Sequence, residues 1–440
     1  EKQESKNSGR VLHALDLFET LQHTVAEDSE KYGKALPEIE KQLENIQSEF
    51  SQFVTLNSSG DPVEAAAILD DTENHILALT HIVDRIPALV ETLTKELPDQ
   101  LADLEEGYRK LLDAKYHFIE TDIESRFQLL HESLKNNQEN IRQLELDNAE
   151  YENNRIQEEI NALYDIFTHE IEAQKVVENL LSTLPTYLNH LKENNQVLVQ
   201  DLERLNKTYL LPESDGNHVR RLQKELAALD TAILEVTEDQ RESAQAYSVL
   251  EEQLEMLQSN LKDIEDEQIS VSERLAQIEK DDLNARQKAN VYVNRLHTIK
   301  RYMEKRNLPG IPQSFLKLFF TASHNTEDLM AELEQPQVNI ESVKRILEIA
   351  TNDMVVLETE TYDIVQYATL TEQLLQYSNR YRSFDERIQE AFNEALEIFE
   401  KEFDYRASFE KISQALEVAE PGVTNRFVTS YEKTREAIRF

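Results

Sequence analysis

The sequence predicts an all-α fold, and three observations carry that prediction. Helix breakers are scarce, with 7 Gly and 10 Pro in 440 residues, while Glu, Leu, Gln, Asn and Lys dominate. A heptad seam of apolar residues starts at Leu222 and continues to Met303. A second seam runs from Ile340 to Leu375 with the same alternation of three and four. Apolar residues make up 40% of the chain, enough for narrow helical seams but lean for one large globular core.

The elements follow in chain order. Residues 1–9 are polar and predict a frayed end, with helical periodicity beginning after them. Breakers then separate the periodic stretches: Gly33 and Pro37, Gly60-Asp61-Pro62, Pro87, Pro98, Pro185, Pro212 to Gly216, Pro309 to Pro312, Pro336 and Pro421-Gly422. Each predicts the start, kink or end of a helix. The first long seam reads Leu222, Leu226, Leu229, Ile233 and Val236, passes polar Gln240 and Ser243, and resumes in register at Tyr247, Leu250 and Leu254. No Gly or Pro occurs from Asn217 to Leu308. That stretch is either one helix of roughly 140 Å or a hairpin folding back near Asp266 to Ser272. In the second case Ser270 and Glu273 would form a capping box. Four segments, 56–69, 144–156, 333–346 and 400–412, each combine a polar turn, one apolar or aromatic residue and a helix start. Their irregular spacing fits successive helical hairpins, as in spectrin-type arrays.

Charge and composition exclude several function classes. The formal net charge is -40. Nucleic acid and an anionic membrane surface would both be repelled, and like charges favour an extended chain. Absence of Cys excludes disulfides, thiolate catalysis and Cys-bound zinc. No run of 18 apolar residues exists to span a membrane. The chain opens at Glu1 with neither Met nor a signal peptide. It reads as a fragment, so that an N-terminal anchor or address would lie upstream of it.

Little in the sequence points to catalysis. Seven glycines leave no Gly-rich phosphate loop and no dinucleotide fingerprint. His131-Glu132 and His169-Glu170 lack the second His of a zinc-protease motif, and His75 and His81, six apart, fall on different helix faces. Asp281-Asp282 and the run from Asp263 to Glu267 read as solvated helix faces among 86 acidic residues. The chain is therefore read as non-enzymatic, with no cofactor and no metal.

One short stretch stands out. "QYSNRYRS", residues 376–383, ends the second seam with Arg, Tyr and amide side chains. At 100° per residue, Gln376, Asn379, Arg380 and Ser383 share a stripe about 100° wide, flanked by Tyr377 and Tyr381, with Ser378 and Arg382 further round. Forked guanidinium donors beside aromatic rings are the composition of an interaction hot spot. The competing reading is an ordinary surface that neutralises Glu372 and Glu386.

Several stretches resemble the EzrA family of bacterial septation ring formation regulators. They are "YGKALPEIEKQLENIQSEFSQF" (32–53), "IPALVETLTKELPDQLADLEEGYRKL" (86–111), "INALYDIF" (160–167), "YMEKRNLPGIPQSFLKLFF" (302–320) and "LTEQLLQYSNRYRS" (370–383). The resemblance covers essentially the whole chain; its specific parts are the Leu-Pro-Gly-Ile-Pro joint and the Gln-Tyr-x-Asn-Arg-Tyr-Arg run. It implies spectrin-like three-helix bundles joined by long shared helices into a curved rod. It also implies a single N-terminal transmembrane helix, absent here, with this region cytoplasmic and concentrated at the midcell septum. The implied partner is the tubulin-like division protein FtsZ, with links to cell-wall synthesis proteins, and the implied role is to restrain FtsZ rings at wrong sites and organise the midcell ring. The family's C-terminal patch falls on Gln376, Tyr377, Asn379, Arg380, Tyr381 and Arg382. Ser378 departs from the pattern, standing where relatives are expected to have Gly.

Breakers and resemblance together divide the chain into four spectrin-like repeats: 10–105, 106–212, 213–310 with the long heptad helices, and 311–440 with the patch. A division regulator that binds FtsZ and a passive helical spacer both fit this plan; a nucleotide-driven machine would need a phosphate loop. An extended array of this size should have a radius of gyration well above the ~22 Å of a globular chain, measured by small-angle scattering. A value near that figure would overturn the array.

Overall fold

The structure, a computed structural model, describes residues 2–242 and 245–435; for residues 2–4 and 239–242 it describes the backbone only. Among the described residues it contains thirteen α-helices and one isolated parallel bridge, between Tyr209 and Val338. In chain order the helices are α1 (Lys2–Glu27), α2 (Leu36–Ser58), α3 (Pro62–Glu91), α4 (Leu97–Asp113), α5 (Ile123–Arg142), α6 (Leu146–Asn206), α7 (Glu213–Glu242), α8 (Tyr247–Glu304), α9 (Gln313–Leu333), α10 (Ile340–Ser378), α11 (Glu386–Glu397), α12 (Tyr405–Ala419) and α13 (Val423–Thr434). The chain divides into two units, 1–186 with 230–259 and 187–229 with 260–440, and the division falls within α6, α7 and α8.

Local side-chain caps set four of the helix starts. Asp61 accepts from the Glu64 N–H at 3.2 Å, with Pro62 in the first turn. Asn339, Asp385 and Asp404 cap α10, α11 and α12 in the same way. Two of the breakers neither start nor end a helix. Pro87 and Pro185 lie inside α3 and α6. A π turn at Thr92–Glu96 joins α3 to α4 directly upstream of Pro98; a Pro ring crowds the carbonyl four residues back in a regular helix, and the wider turn relieves it.

In the first unit, α1, α2 and α3 form a three-helix bundle. Phe18 packs on Phe50 at 5.6 Å, and Arg10 reaches Glu73 at 3.1 Å. The expected frayed end is not found: helix begins at Lys2, and buried Asn7 donates to the Pro62 carbonyl at 3.1 Å. A second bundle joins α4 and α5 to the first half of α6, with Tyr108, Phe118, Phe127 and Phe167 in mutual ring contact. Between these two cores buried Asn137 donates to Asn153 at 2.8 Å and to the Ala149 carbonyl at 3.0 Å. Further along α6, buried Glu170 accepts from the Ser248 N–H at 3.2 Å, capping the start of α8 from another helix.

The 217–308 stretch folds back, but not at the position read from the sequence. The stretch is neither one helix nor a hairpin at 266–272, because α7 ends at Glu242 and α8 begins at Tyr247, running unbroken through Ser270 and Glu273. Heptad register persists across the break, which is why periodicity alone missed it. Ser243 lies outside the described residues. In the second unit Arg221 of α7 meets Glu267 of α8 at 2.9 Å. Gln268 occupies a seam position, buried, and donates to the Leu191 carbonyl at 2.9 Å. Asp281 and Asp282 are not simply solvated: they pair with Lys344 at 3.2 Å and Arg286 at 3.1 Å. Burial first, and Asp282 second, push the Tyr209 phenol up to about 12. All eleven residues of the second seam, Ile340 to Leu375, are buried along α10.

Of the internal boundaries read from sequence, 212/213 and 310/311 fall between helices and 105/106 falls inside α4. At the Leu308–Pro312 joint the second unit is fastened across 95 positions: Tyr405 donates to the Gly310 carbonyl at 2.6 Å. A Cβ on Gly310 would lie 2.4 Å from the Phe403 ring. Phe403 itself sits at φ 58°, a left-handed conformation unusual for a bulky residue. Gly310→Ala should therefore cost about 1–3 kcal/mol, the usual range for overpacking. Urea unfolding checks this, and Gly310→Ala with Phe403→Ala should recover part of the loss.

Candidate interaction patch at the end of helix α10

The residues of 376–382 converge where α10 stops. Helical hydrogen bonding holds through Ser378; the chain then tightens, with Asn379 and Arg380 N–H groups bonded to the carbonyls of Gln376 and Tyr377, three residues back. Four turn residues later Asp385 starts α11. The angular stripe drawn from 100° steps is therefore valid only to Ser378, because the turn rotates the later residues differently.

Burial sorts the patch into two kinds of residue. Gln376, Asn379 and Arg380 are exposed, whereas Tyr377, Tyr381 and Arg382 are half-buried. Ser378 is fully buried and donates to the Leu375 carbonyl at 2.6 Å. Below the patch lies a small core of Leu374, Leu375, Ile388, Ala395, Ile412, Leu416 and Val423.

The Tyr377 hydroxyl is the hub. It donates to Glu420 and accepts from Arg380 at 3.2 Å and Arg426 at 3.0 Å. The Arg380 guanidinium lies over its ring at 4.0 Å, and Phe427 meets the ring edge-on at 5.2 Å. Tyr381 also donates to Glu420, at 3.1 Å. Arg382 turns the other way, lying over the Phe392 ring at 3.6 Å and donating to Asn379 at 2.9 Å and Gln389 at 3.2 Å. Neither arginine neutralises Glu372 or Glu386 through a described ion pair.

Electrostatics follow from these bonds. The Tyr377 hydroxyl foremost, then Tyr381, hold the Glu420 carboxyl below the usual carboxylate range. The Gly422 N–H does the same for Glu417, at a turn that Gly422 makes with φ 86°. Partial burial and then Glu420 push the Tyr381 phenol up. Sequence reading found the Arg and Tyr residues but missed Glu420, Arg426 and Phe427, more than 35 positions downstream. The only local signal there was the Pro421-Gly422 breaker, which placed a turn and said nothing of its partner.

Elsewhere, His75 and His131 meet Glu49 and Glu105 across helix pairs. Among the described residues no three His, Asp or Glu are grouped to hold a metal, and no helix is long and apolar enough to cross a membrane.

Successive three-helix packings, with helix alone among the described residues apart from one isolated bridge, define a helical-repeat protein. The comparisons make this specific. The family described as septation ring formation regulator, EzrA, matches residues 1–431. Septation ring formation regulators EzrA from Streptococcus pneumoniae strains ATCC 700669 / Spain 23F-1 and JJA are each 83% identical over 440 residues, covering 100% of this chain and 76% of theirs. A solved structure, the cytoplasmic domain of the bacterial cell division protein EzrA, matches with TM-score 0.68 over 97% of this chain and 79% of that one; at 21% identity it supports the fold. This chain belongs to the EzrA family of septation ring formation regulators, which are cell division proteins.

The lowered Glu420 acid predicts a pH effect with a definite sign. A depressed carboxyl contributes stability above its unfolded value of 4.5, and that contribution is lost as pH falls through the folded value. Amide exchange over 423–434, normalised for intrinsic rate, should accelerate on acidification. Glu420→Gln and Tyr377→Phe should show faster exchange already at neutral pH and a flatter acid response.

Proposed function

We propose that this chain is the cytoplasmic region of a membrane-anchored division regulator that binds FtsZ. In this reading it restrains FtsZ rings at wrong sites, helps organise the ring at midcell and contacts cell-wall synthesis proteins there. It is a binding scaffold without a catalytic step. Its membrane link is an N-terminal helix outside this chain, and the division 10–105, 106–212, 213–310 and 311–440 describes its repeats.

The observation that supports a docking role is the display of Gln376, Asn379 and Arg380. Intramolecular bonds to Tyr377, Glu420 and Arg426 hold the tyrosine base of the patch in place, while these three side chains remain exposed. A pre-ordered base lowers the entropy cost of binding. Arg380 keeps further donors for a carboxylate or carbonyl of a partner.

Two measurements test the reading. Sedimentation with FtsZ and GTP should show the chain co-pelleting with polymer or altering assembly; a chain that does neither is a passive spacer. Asn379→Ala with Arg380→Ala should change unfolding free energy by less than about 0.5 kcal/mol, as exposed substitutions do. The same pair should impair midcell recruitment of the anchored protein. Normal recruitment of a folded double variant would remove the patch from the proposal.

A further inference from the structure

Charge is distributed very unevenly along this acidic chain. From Leu283 to Thr326 there are eight Lys or Arg and one acid, Glu304. The remaining residues hold 38 basic and 85 acidic side chains. We propose that this basic island, the C-terminal half of α8 with the start of α9, is a docking surface for an extended acidic segment of another protein.

The island is folded into one region of the second unit. Arg286 donates to the Leu333 carbonyl at 2.8 Å, so α9 runs antiparallel to α8 and Lys317 comes about level with Tyr302. The α8 seam, from Ala285 to Met303, is buried, which directs the intervening residues outward. Two of the cations are used internally: Arg286 pairs with Asp282 and Arg295 with Glu358. The other six, Lys288, Lys300, Arg301, Lys305, Arg306 and Lys317, are exposed, with no acidic side chain in salt-bridge range among the described residues. Arg306 lies over the Tyr302 ring at 4.0 Å, and Phe320, one turn from Lys317, is 64% exposed.

Helix chemistry explains part of this arrangement. Cations in or just past a last turn complement the partial negative charge of a helix C-terminus, which accounts for Arg301, Lys305 and Arg306. It does not account for Lys288, Lys300 or Lys317, nor for 44 residues with a single acid. Unpaired like charges repel one another, and an anionic partner would relieve that repulsion.

The occupant is identified by extent and charge. Lys288 to Arg306 spans roughly 27 Å at 1.5 Å per residue, the reach of about eight extended residues. A membrane or a nucleic acid duplex presents a far larger anionic surface. It would also bring Glu327 and Asp328, directly after the island on α9, within the ~8 Å screening length. A short acidic segment covers the cations without that penalty, and an apolar side chain within it could rest on Phe320.

The test is fluorescence anisotropy with a labelled Glu-rich peptide of about eight residues carrying one central Phe, at about 0.15 M salt. Saturable binding is expected. Lys300→Glu with Arg301→Glu and Lys305→Glu should weaken it by at least about tenfold. Lys288→Glu with Lys317→Glu, outside the last turn of α8, should weaken it too, with circular dichroism confirming helix content in both. Reversal of Lys95, Lys110 and Lys135 should change nothing, and Asn379→Ala with Arg380→Ala should bind as the parent does, separating this surface from the α10 patch. The proposal is overturned if the peptide does not bind or if the Lys95 set weakens it equally. It also fails if phosphatidylglycerol vesicles or a DNA duplex bind in preference, or if the island reversals instead abolish self-association of this chain.

Discussion

The structure depends on one constraint: each helix has only a narrow apolar stripe to bury, and no element is large enough to cover a long stripe alone. The long helices therefore change partners along their length. At its start α8 is capped by Glu170. Further on, Gln268 reaches the Leu191 carbonyl, Arg286 the Leu333 carbonyl, and Tyr292 shares a 2.7 Å hydrogen bond with Thr351. In α10 the early residues face α9, while Thr371 and Leu374 face α11 and α12. Burying roughly one residue in three or four gives each short packing a modest hydrophobic gain, and continuity of the helix backbone adds these gains together.

Narrow seams are prone to slip, since neighbouring registers bury similar side chains. Polar residues inside the seams oppose this. Asn137 and Asn153 bond each other and the carbonyls of Ala149 and Leu89. Asn195 and Gln268 do the same in the second unit, reaching Val219 and Leu191. A shifted register would leave these amides buried without partners, at about 1–3 kcal/mol each. The Gly310–Tyr405 fastening acts likewise between distant parts of the second unit, because only a residue without a Cβ fits under Phe403.

Function in such a protein resides on the outside, and two outward surfaces differ in kind. At the end of α10 the turn satisfies its own aromatic base and leaves Gln376, Asn379 and Arg380 exposed. On α8, the turn after it and α9, six exposed cations, Lys288, Lys300, Arg301, Lys305, Arg306 and Lys317, have no acidic partner among the described residues. The first is ordered by bonds within the fold; the second is ordered only by the buried seam behind it. They would recognise partners differently, by directed hydrogen bonds in one case and by charge in the other.

The sequence by itself determined the helical class, the two seams and the start of α3 after Gly60-Asp61-Pro62, because periodicity and chain breaking are local: the seam positions of α10 and the Asp61 turn are set by near neighbours. It also singled out the Arg and Tyr residues of the patch. Tertiary structure decided the rest. The break between α7 and α8 was invisible because apolar register is kept across it. Pro87 and Pro185 stayed within helices that packing sustains. The partners of Tyr377, namely Glu420, Arg426 and Phe427, were beyond local reading, since a hydroxyl carries no mark of which distant carboxylate it will meet. Even the turn that re-aims Asn379 and Arg380 depends on α11 and α12 closing beneath it, a long-range contact that no helical wheel contains.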